Sequence, residues 1–353
     1  MKRSQGEGRV LLGDVATRAG VSISTASRAL AGDRRISAAT RSTVRAAAAD
    51  LRYVPNVSAR NLRVRRTRTL GLLLADLSDP VHGLVASGFE NEAARNGYWV
   101  TFAAGQDDDA RERRSLRVFG EQAADGVAIA STMLDPESAR RLVPGGRVVV
   151  VQPDSPGLPR DRETRTRGVI RTDDVAGMEA IAAHLAECGY RDIAYVGDGV
   201  RASDTARRRA LDRALAALGL PSPVRTFIAA DAAWRAPDAV VTEIVASLPE
   251  ALVCFDDKLA LSILDGLRTH GVRVPEDLGV VGFDGIPFAE ISNPRLTTVV
   301  TPAYEMGRRA AEILITAVQT GTMPESETLP VALAVRESTR ARAPRRGEGD
   351  AGG

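Results

Sequence analysis

Residues 12–31 read LGDVATRAGVSISTASRALA, and their pattern decides how the chain begins. Leu12, Val15, Ala16 and Ala19 recur at i, i+3, i+4 and i+7, the spacing of one apolar face on a short helix. Gly20 ends that helix, and Ser22 supplies a side-chain oxygen suited to cap a second one. On the second helix Ala26, Ala29 and Leu30 point one way, while Ser24, Thr25, Ser27 and Arg28 point the other. Two helices joined by a tight glycine turn make a helix-turn-helix, which offers the N-terminal side chains of its second helix to base edges in the major groove. The candidate base-reading residues are therefore Ser22, Ile23, Ser24, Thr25, Ser27 and Arg28. Arg28 is suited to take a guanine bidentately.

Charge is an independent test of duplex binding. Residues 1–69 hold fifteen Lys and Arg against Glu7, Asp14, Asp33 and Asp50, a balance of +11; the whole chain is +2, so the remainder carries −9. A head of this sign neutralises phosphates and releases counterions, while an acidic body stays off the DNA. An isolated charge cluster is usually a solvated surface, but this one coincides with the helix-turn-helix pattern.

Beyond the second helix, Ser37 is placed to cap a third, with Val44, Ala47, Ala48 and Leu51 along its buried stripe and Arg41 and Arg45 outside. Tyr53-Val54-Pro55-Asn56 follows, where proline forbids helical continuation and asparagine can start anew. Residues 57–63 are too few to be helical alone in water, since isolated helices below roughly 12 to 15 residues are marginal. They are expected to fold only when something holds them.

These residues carry a resemblance. Asp14-Val15-Ala16, Ala19-Gly20-Val21-Ser22, Thr25-Ala26-Ser27-Arg28, Ser37 with Thr40-Arg41, Tyr53-Val54-Pro55-Asn56 and Ala59-Arg60-Asn61-Leu62 resemble the DNA-binding head of the lactose-repressor (LacI/GalR) family of bacterial transcription regulators. The resemblance implies a hinge helix matching Asn56 to Arg63 that orders on operator DNA beside its twin from a second subunit. It makes Asn56, Ala59, Arg60, Leu62 and Arg63 candidate DNA contacts, with Leu62 inserted in the minor groove. An apolar wedge of this kind unstacks a base step while flanking arginines grip the backbone. A surface leucine among arginines is the alternative.

From Thr69 the pattern becomes short apolar strands alternating with helical stretches. The strand candidates are Leu70 to Leu74, Tyr98 to Phe102, Gly126 to Ala130, Val148 to Val151, Ile193 to Val196, Ala251 to Phe255 and Leu278 to Val281. Helices are expected between them, including Gly83 to Arg95, Val175 to Glu187, Asp204 to Leu218, Lys258 to Thr269 and Met306 to Val318. Near-continuous apolar strands with intervening helices indicate parallel sheets covered on both faces. The fold expected is α/β: an all-α head over residues 10–55, a hinge and linker over 56–69, and a doubly wound body over 70–340. Residues 1–9 and 341–353 are expected to be disordered. The resemblance implies two subdomains in the body, like periplasmic binding proteins, with a ligand between them and crossovers near 189, 302 and 327.

In such sheets the ligand lies beyond the carboxyl ends of the strands. Asp256-Asp257 ends one strand candidate and Asp284 another. The resemblance implies that Arg207, Asp256 and Asp284 bind the effector, and a guanidinium beside carboxylates suits adjacent sugar hydroxyls. Asp257 reads as a cap for the next helix. His82 stands after Pro80-Val81, where relatives carry cleft aromatics, and reads equally as a cleft residue or a helix-start histidine. Trp234 falls near a position where an aromatic stacks on the ligand. Relatives follow the arginine at 207 with a Gly-aromatic pair, whereas this chain continues Arg208-Arg209-Ala210-Leu211.

Enzymatic signals are weak. Gly197-Asp198-Gly199 follows a strand, but no third glycine comes at dinucleotide-loop spacing. No phosphate loop, nucleophile elbow or zinc spacing is present, and three scattered histidines with two separated cysteines do not build a zinc site. Asp107-Asp108-Asp109 suits a helix cap and its dipole. No apolar run approaches the ~20 residues of a membrane span. Cys188 and Cys254 read as core thiols in a reducing, cytoplasmic setting.

The chain is thus expected to be a transcription regulator without cofactor or metal. Its expected partners are pseudo-palindromic double-stranded operator DNA and a small-molecule effector of the sugar class, with no membrane. Two half-sites require two heads. The tail after Arg340 has no leucine heptad, so the expected assembly is a homodimer. A body answering to a protein partner or to no small molecule, and a sugar- or nucleotide-processing enzyme on the same scaffold, are the alternatives.

Overall fold

The computed structural model describes residues 10–53, 67–106, 108–130, 134, 136–152, 167–230 and 236–342. They fall into two compact units that meet in sequence between Thr67 and Arg68.

The first unit is built from α1 (Leu12–Arg18), α2 (Ile23–Leu30) and α3 (Ala38–Asp50). Each start has a local cause. Asp14 accepts from the Leu11 amide at 2.7 Å, Ser22 from the Thr25 amide at 3.1 Å and Ser37 from the Thr40 amide at 3.1 Å. Gly20 turns the chain between α1 and α2 at φ 66°, a conformation costly for any residue with a Cβ. Val15, Ala16, Ala26, Ala29, Val44 and Ala47 close a small core, with Leu30 and Leu51 packed at its margin.

Among the described residues of the second unit lie two six-stranded sheets. The first contains β1 (Thr69–Leu74), β2 (Trp99–Ala104), β3 (Gly126–Ala130), β4 (Val148–Val151), β5 (Val169–Thr172) and β11 (Glu327–Leu329) in the order β11-β5-β4-β3-β1-β2. All its pairings are parallel. The all-valine β4 and the GVAIA of β3 are buried throughout because helices cover both faces. On one face α4 (Pro80–Arg95) and α12 (Ala303–Thr320) contribute Val85, Phe89, Met306 and Leu314; on the other, α5 (Asp109–Glu121) and α6 (Pro136–Leu142) contribute Leu116, Phe119 and Ala139. Asp108 caps α5 by accepting from the Arg111 amide.

The second sheet repeats the plan with β6 (Ile193–Gly197), β7 (Arg225–Ile228), β8 (Ala251–Cys254), β9 (Gly279–Asp284), β10 (Thr297–Val300) and β12 (Ala332–Ala334), ordered β12-β10-β9-β8-β6-β7. Its β12 is antiparallel to β10. Around it pack α7 (Asp174–Glu187), α8 (Ala202–Ala217), α9 (Asp238–Ser247), α10 (Asp257–Thr269) and the one-turn α11 (Phe288–Ile291). In both sheets the strand order reverses at the first strand, between β1 and β3 and between β6 and β8. In such open sheets the ligand crevice lies at that switch point.

The chain passes from the first sheet to the second at Asp173. A crossing near 189 is incorrect, because Met178, Ile181 and Leu185 of α7 already pack in the core of the second sheet. It returns at Thr301 and Pro302, between β10 and α12. The last passage is at residues 330–331 rather than 327, since Glu327 to Leu329 still pair with β5. Cys254 is buried, but Cys188 is only half-buried and not a core thiol. Where α4 meets α12, backbones touch: a Cβ on Gly88 would fall 1.9 Å from the Tyr304 carbonyl oxygen, and one on Gly307 1.9 Å from that of Val85.

Candidate functional site

Two surfaces carry the residues that the sequence singles out. On α2, Ser22, Ile23, Ser24 and Arg28 are exposed, and Thr25 and Ser27 half-buried, while Ala26 and Ala29 face the core. Ile23 exposes 59% of its surface, an apolar group at the helix start suited to a thymine methyl. The Ser22 hydroxyl lies 2.9 Å from those of Ser24 and Thr25, and Arg28 Nε donates to the Ser24 carbonyl at 3.3 Å. Asn56, Ala59, Arg60, Leu62 and Arg63 lie outside the described residues, as does Trp234.

The second surface is a cavity of about 600 Å³ between the two sheets. Its wall is assembled from strand ends: Ala75 follows β1, Gln152 follows β4 and Thr172 ends β5 on one side, while Asp198 follows β6, Asp256 lies beyond β8 and Asp284 ends β9 on the other. His82, Arg207, Asp256 and Asp284 all line it.

Arg207, on α8, is buried. Its Nε donates to Asp174 Oδ2 at 3.0 Å, Nη1 to the Phe255 carbonyl at 2.8 Å and Nη2 to Asp284 Oδ1 at 3.4 Å. Its guanidinium carbon stands 3.7 Å from the Phe283 ring centroid. Burial opposes its charge, yet Asp174 and Asp284 outweigh that and raise its pKa. Arg207 faces Asp174 more closely than Asp284, so burial keeps the Asp284 carboxyl well above the usual carboxylate range, with Arg207 offsetting only part. Asp284 also has φ 108°, a strained setting for a non-glycine residue.

The strain is fixed from behind. Asp257 accepts from the Ile286 amide at 2.8 Å and from the Thr298 hydroxyl at 2.5 Å, tying down the turn after Asp284. Burial raises its pKa to about 7 against those two hydrogen bonds. Asp257 is therefore not the cap of α10. That role belongs to Asp256, which accepts from the Leu259 amide at 2.8 Å while lining the cavity.

His82 is turned back on its own loop, its Nδ1 2.7 Å from the Asp76 carbonyl oxygen, as an Nδ1–H donor would be. It shapes the wall through that loop. The Gly197-Asp198-Gly199 turn is held by buried Asp204, which accepts from the Tyr195 hydroxyl at 2.8 Å and the Gly199 amide at 3.1 Å.

Sequence reasoning missed the contacts that cross the cavity. Asp79 caps α4, accepting from the Val81 amide at 2.9 Å, and its other oxygen lies 2.5 Å from Lys258 Nζ on α10. Toward the chain crossing, Gln152 donates to Thr172 at 2.7 Å and Thr172 to Asp174 at 2.5 Å. A signal existed for the first pair. Pro80 after Asp79 marks a helix start, and Lys2 and Lys258 are the two lysines of a chain that otherwise uses arginine.

A helix-turn-helix unit and a body of two similarly ordered sheets around a polar cavity define a DNA-binding regulator with a binding-protein-like body. Residues 11–56 match the model of bacterial regulatory proteins, lacI family, and residues 182–339 that of the periplasmic binding protein-like domain. The chain is 30% identical over 303 residues to HTH-type transcriptional regulator DegA of Bacillus subtilis (strain 168), covering 83% of this chain and 87% of that protein. It is 28% identical over 349 residues to HTH-type transcriptional repressor CytR of Escherichia coli (strain K12), covering 97% and 99%. Its fold is similar to that of the lac repressor dimer bound to operator and the anti-inducer ONPF, with a TM-score of 0.82 at 23% identity over 95% of this chain and 100% of that one. It is also similar to a transcriptional regulator CelR–cellobiose complex, with a TM-score of 0.67 at 28% identity over 94% and 100%. The chain belongs to the lacI family of bacterial regulatory proteins and is a DNA-binding transcription regulator. No helix among the described residues is long and apolar enough to cross a membrane.

Proposed function

We infer that the chain is a repressor that binds a pseudo-palindromic operator as a homodimer and is controlled by an uncharged, sugar-like effector held between its two lobes. The observation that carries this reading is the cavity at the carboxyl ends of both sheets, where Arg207 and Asp284 offer a guanidinium and a carboxylate side by side. Such a pair suits vicinal hydroxyls, which donate to the carboxylate and accept from the guanidinium. Similarity to a regulator solved with cellobiose and to one named a repressor supports the ligand class and the sign of regulation. The effector acts through differential affinity for two lobe arrangements, each holding the paired hinges differently.

Calorimetry with a panel of neutral mono- and disaccharides tests the reading. One compound is expected to bind and to change operator affinity by a factor equal to that by which operator changes its own affinity. A panel in which nothing binds contradicts the effector reading, and a compound that binds without altering DNA affinity contradicts the coupling.

A further inference from the structure

We propose that Asp79 sets the charge selectivity of the cleft: by neutralising Lys258 across the gap between the lobes, it makes the site accept uncharged polyols and refuse phosphorylated or otherwise anionic ligands. The proposal rests on the reading of this cavity as the effector site and names the class of ligand it takes.

The cavity wall sets Asp76, Asp79, Asp198, Asp256 and Asp284 among Arg201, Arg207 and Lys258. Each of the three cations is already matched. Arg207 has Asp174 and Asp284; Arg201 has Asp198 at 3.7 Å; Lys258 has Asp79 at 2.5 Å and Asp256 at 3.9 Å. An anion entering such a wall must displace a carboxylate or sit beside one, and in a partly dehydrated site like-charge juxtaposition is costly. A neutral polyol meets no such penalty.

Among these pairs, Asp79–Lys258 is special in three respects. Its members belong to different lobes, Asp79 at the start of α4 and Lys258 in the first turn of α10. Both side chains are nearly buried, at 13% and 10% exposure, so screening by water and salt is weak. The cation is a lysine in an arginine-rich chain, a compact point charge that would bind a phosphate well if its partner were absent. Burial alone disfavours both charges, but Lys258 and His82 keep the Asp79 carboxyl below its ordinary range, and Asp256 and Asp79 keep the Lys258 ammonium above its own.

The test is Asp79→Asn in the full chain. Asparagine still caps α4, so the charge leaves while the helix start remains; Asp79→Ser serves if the first variant melts early. Inorganic phosphate and glucose 6-phosphate are titrated by calorimetry into wild type, D79N, K258M and the double variant. The basic head binds phosphate equally in all four, so differences report the cleft. At least a fivefold gain in affinity for glucose 6-phosphate is expected in D79N, lost again in D79N/K258M, with K258M alone showing no gain. A merely structural tie between the lobes would instead weaken every ligand in D79N and produce no gain. Absence of the gain, its persistence in the double variant, or wild type binding the sugar phosphate as tightly as D79N overturns the proposal. A gain in D79N with no neutral sugar bound by wild type leaves the charge filter standing and removes the sugar reading.

Discussion

Arg207 is bonded to Asp174 at 3.0 Å, and that contact joins the cavity between the sheets to the point where the chain first passes between them. Asp174 is the first residue of α7, and it accepts from Thr172, the last residue of β5 in the other lobe. A ligand that draws Arg207 or Asp284 toward itself therefore changes the bonding of a residue at the crossing.

Removing this guanidinium exposes how much rests on it. Arg207→Met leaves Asp174 and Asp284, both partly buried, without the cation they share, a defect of the kind that costs about 3 to 5 kcal/mol. Urea denaturation is expected to show a loss of that order. A loss below about 1 kcal/mol would mean that water replaces the guanidinium at little cost.

The Asp257 carboxyl gives a pH dependence of defined sign. Its pKa in the folded chain is about 7, above the ordinary aspartate range, so the folded state binds this proton more tightly than the unfolded state. The stability it confers is full below about pH 4, declines as pH rises toward 7 and is constant above. Relative to wild type, Asp257→Asn is expected to gain stability between pH 5 and pH 7.5. A difference that does not change across that interval contradicts the assignment.

The crossing of α4 and α12 predicts opposite outcomes for chemically identical changes. Gly88→Ala and Gly307→Ala each drive a methyl against a carbonyl oxygen of the facing helix and are expected to destabilise by about 1 to 3 kcal/mol or more. Gly83, on the same α4, has nothing within 4 Å of its Cβ position. Gly83→Ala is expected to stabilise by about 0.5 to 1 kcal/mol. Thermal melting of the three variants is sufficient, and equal effects would contradict the packing.

Much of this arrangement was legible because it is written in local chemistry. Ser22 and Ser37 sit one residue before their helices, and the unbroken apolar runs of β1, β3 and β4 announce strands covered on both faces. What escaped was non-local or marginal. Val169–Thr172 carries Arg171 within four residues, Arg225–Ile228 is an edge strand with both end residues exposed, and Glu327–Leu329 is three residues long, so none stands out by hydrophobicity. The sequence reading gives the α10 cap to Asp257, the wrong one of two adjacent aspartates, since either spacing satisfies a helix start. Structure separates them: Asp256 turns to its own helix and Asp257 to the turn behind Asp284. The pairing of Asp79 with Lys258 joins residues 179 apart in sequence, and no periodicity encodes such a meeting.

The exposed face of α2 makes a prediction at single-base level. Arg28→Ala is expected to cost about 1 to 3 kcal/mol in operator binding and to relax preference at one position per half-site. A uniform loss across all sequences would make Arg28 a phosphate contact.

Selection of bound duplexes from a randomised pool, carried out with the full chain and followed by sequencing, tests the central claim most directly. The proposed homodimer, with one helix-turn-helix per subunit, predicts a two-fold-symmetric consensus with a flexible pyrimidine–purine step, CG, at its centre. The same selection with Arg28→Ala is expected to lose one symmetric pair of positions and keep the rest. Enrichment of a single unsymmetric motif, or of no sequence at all, would contradict the account.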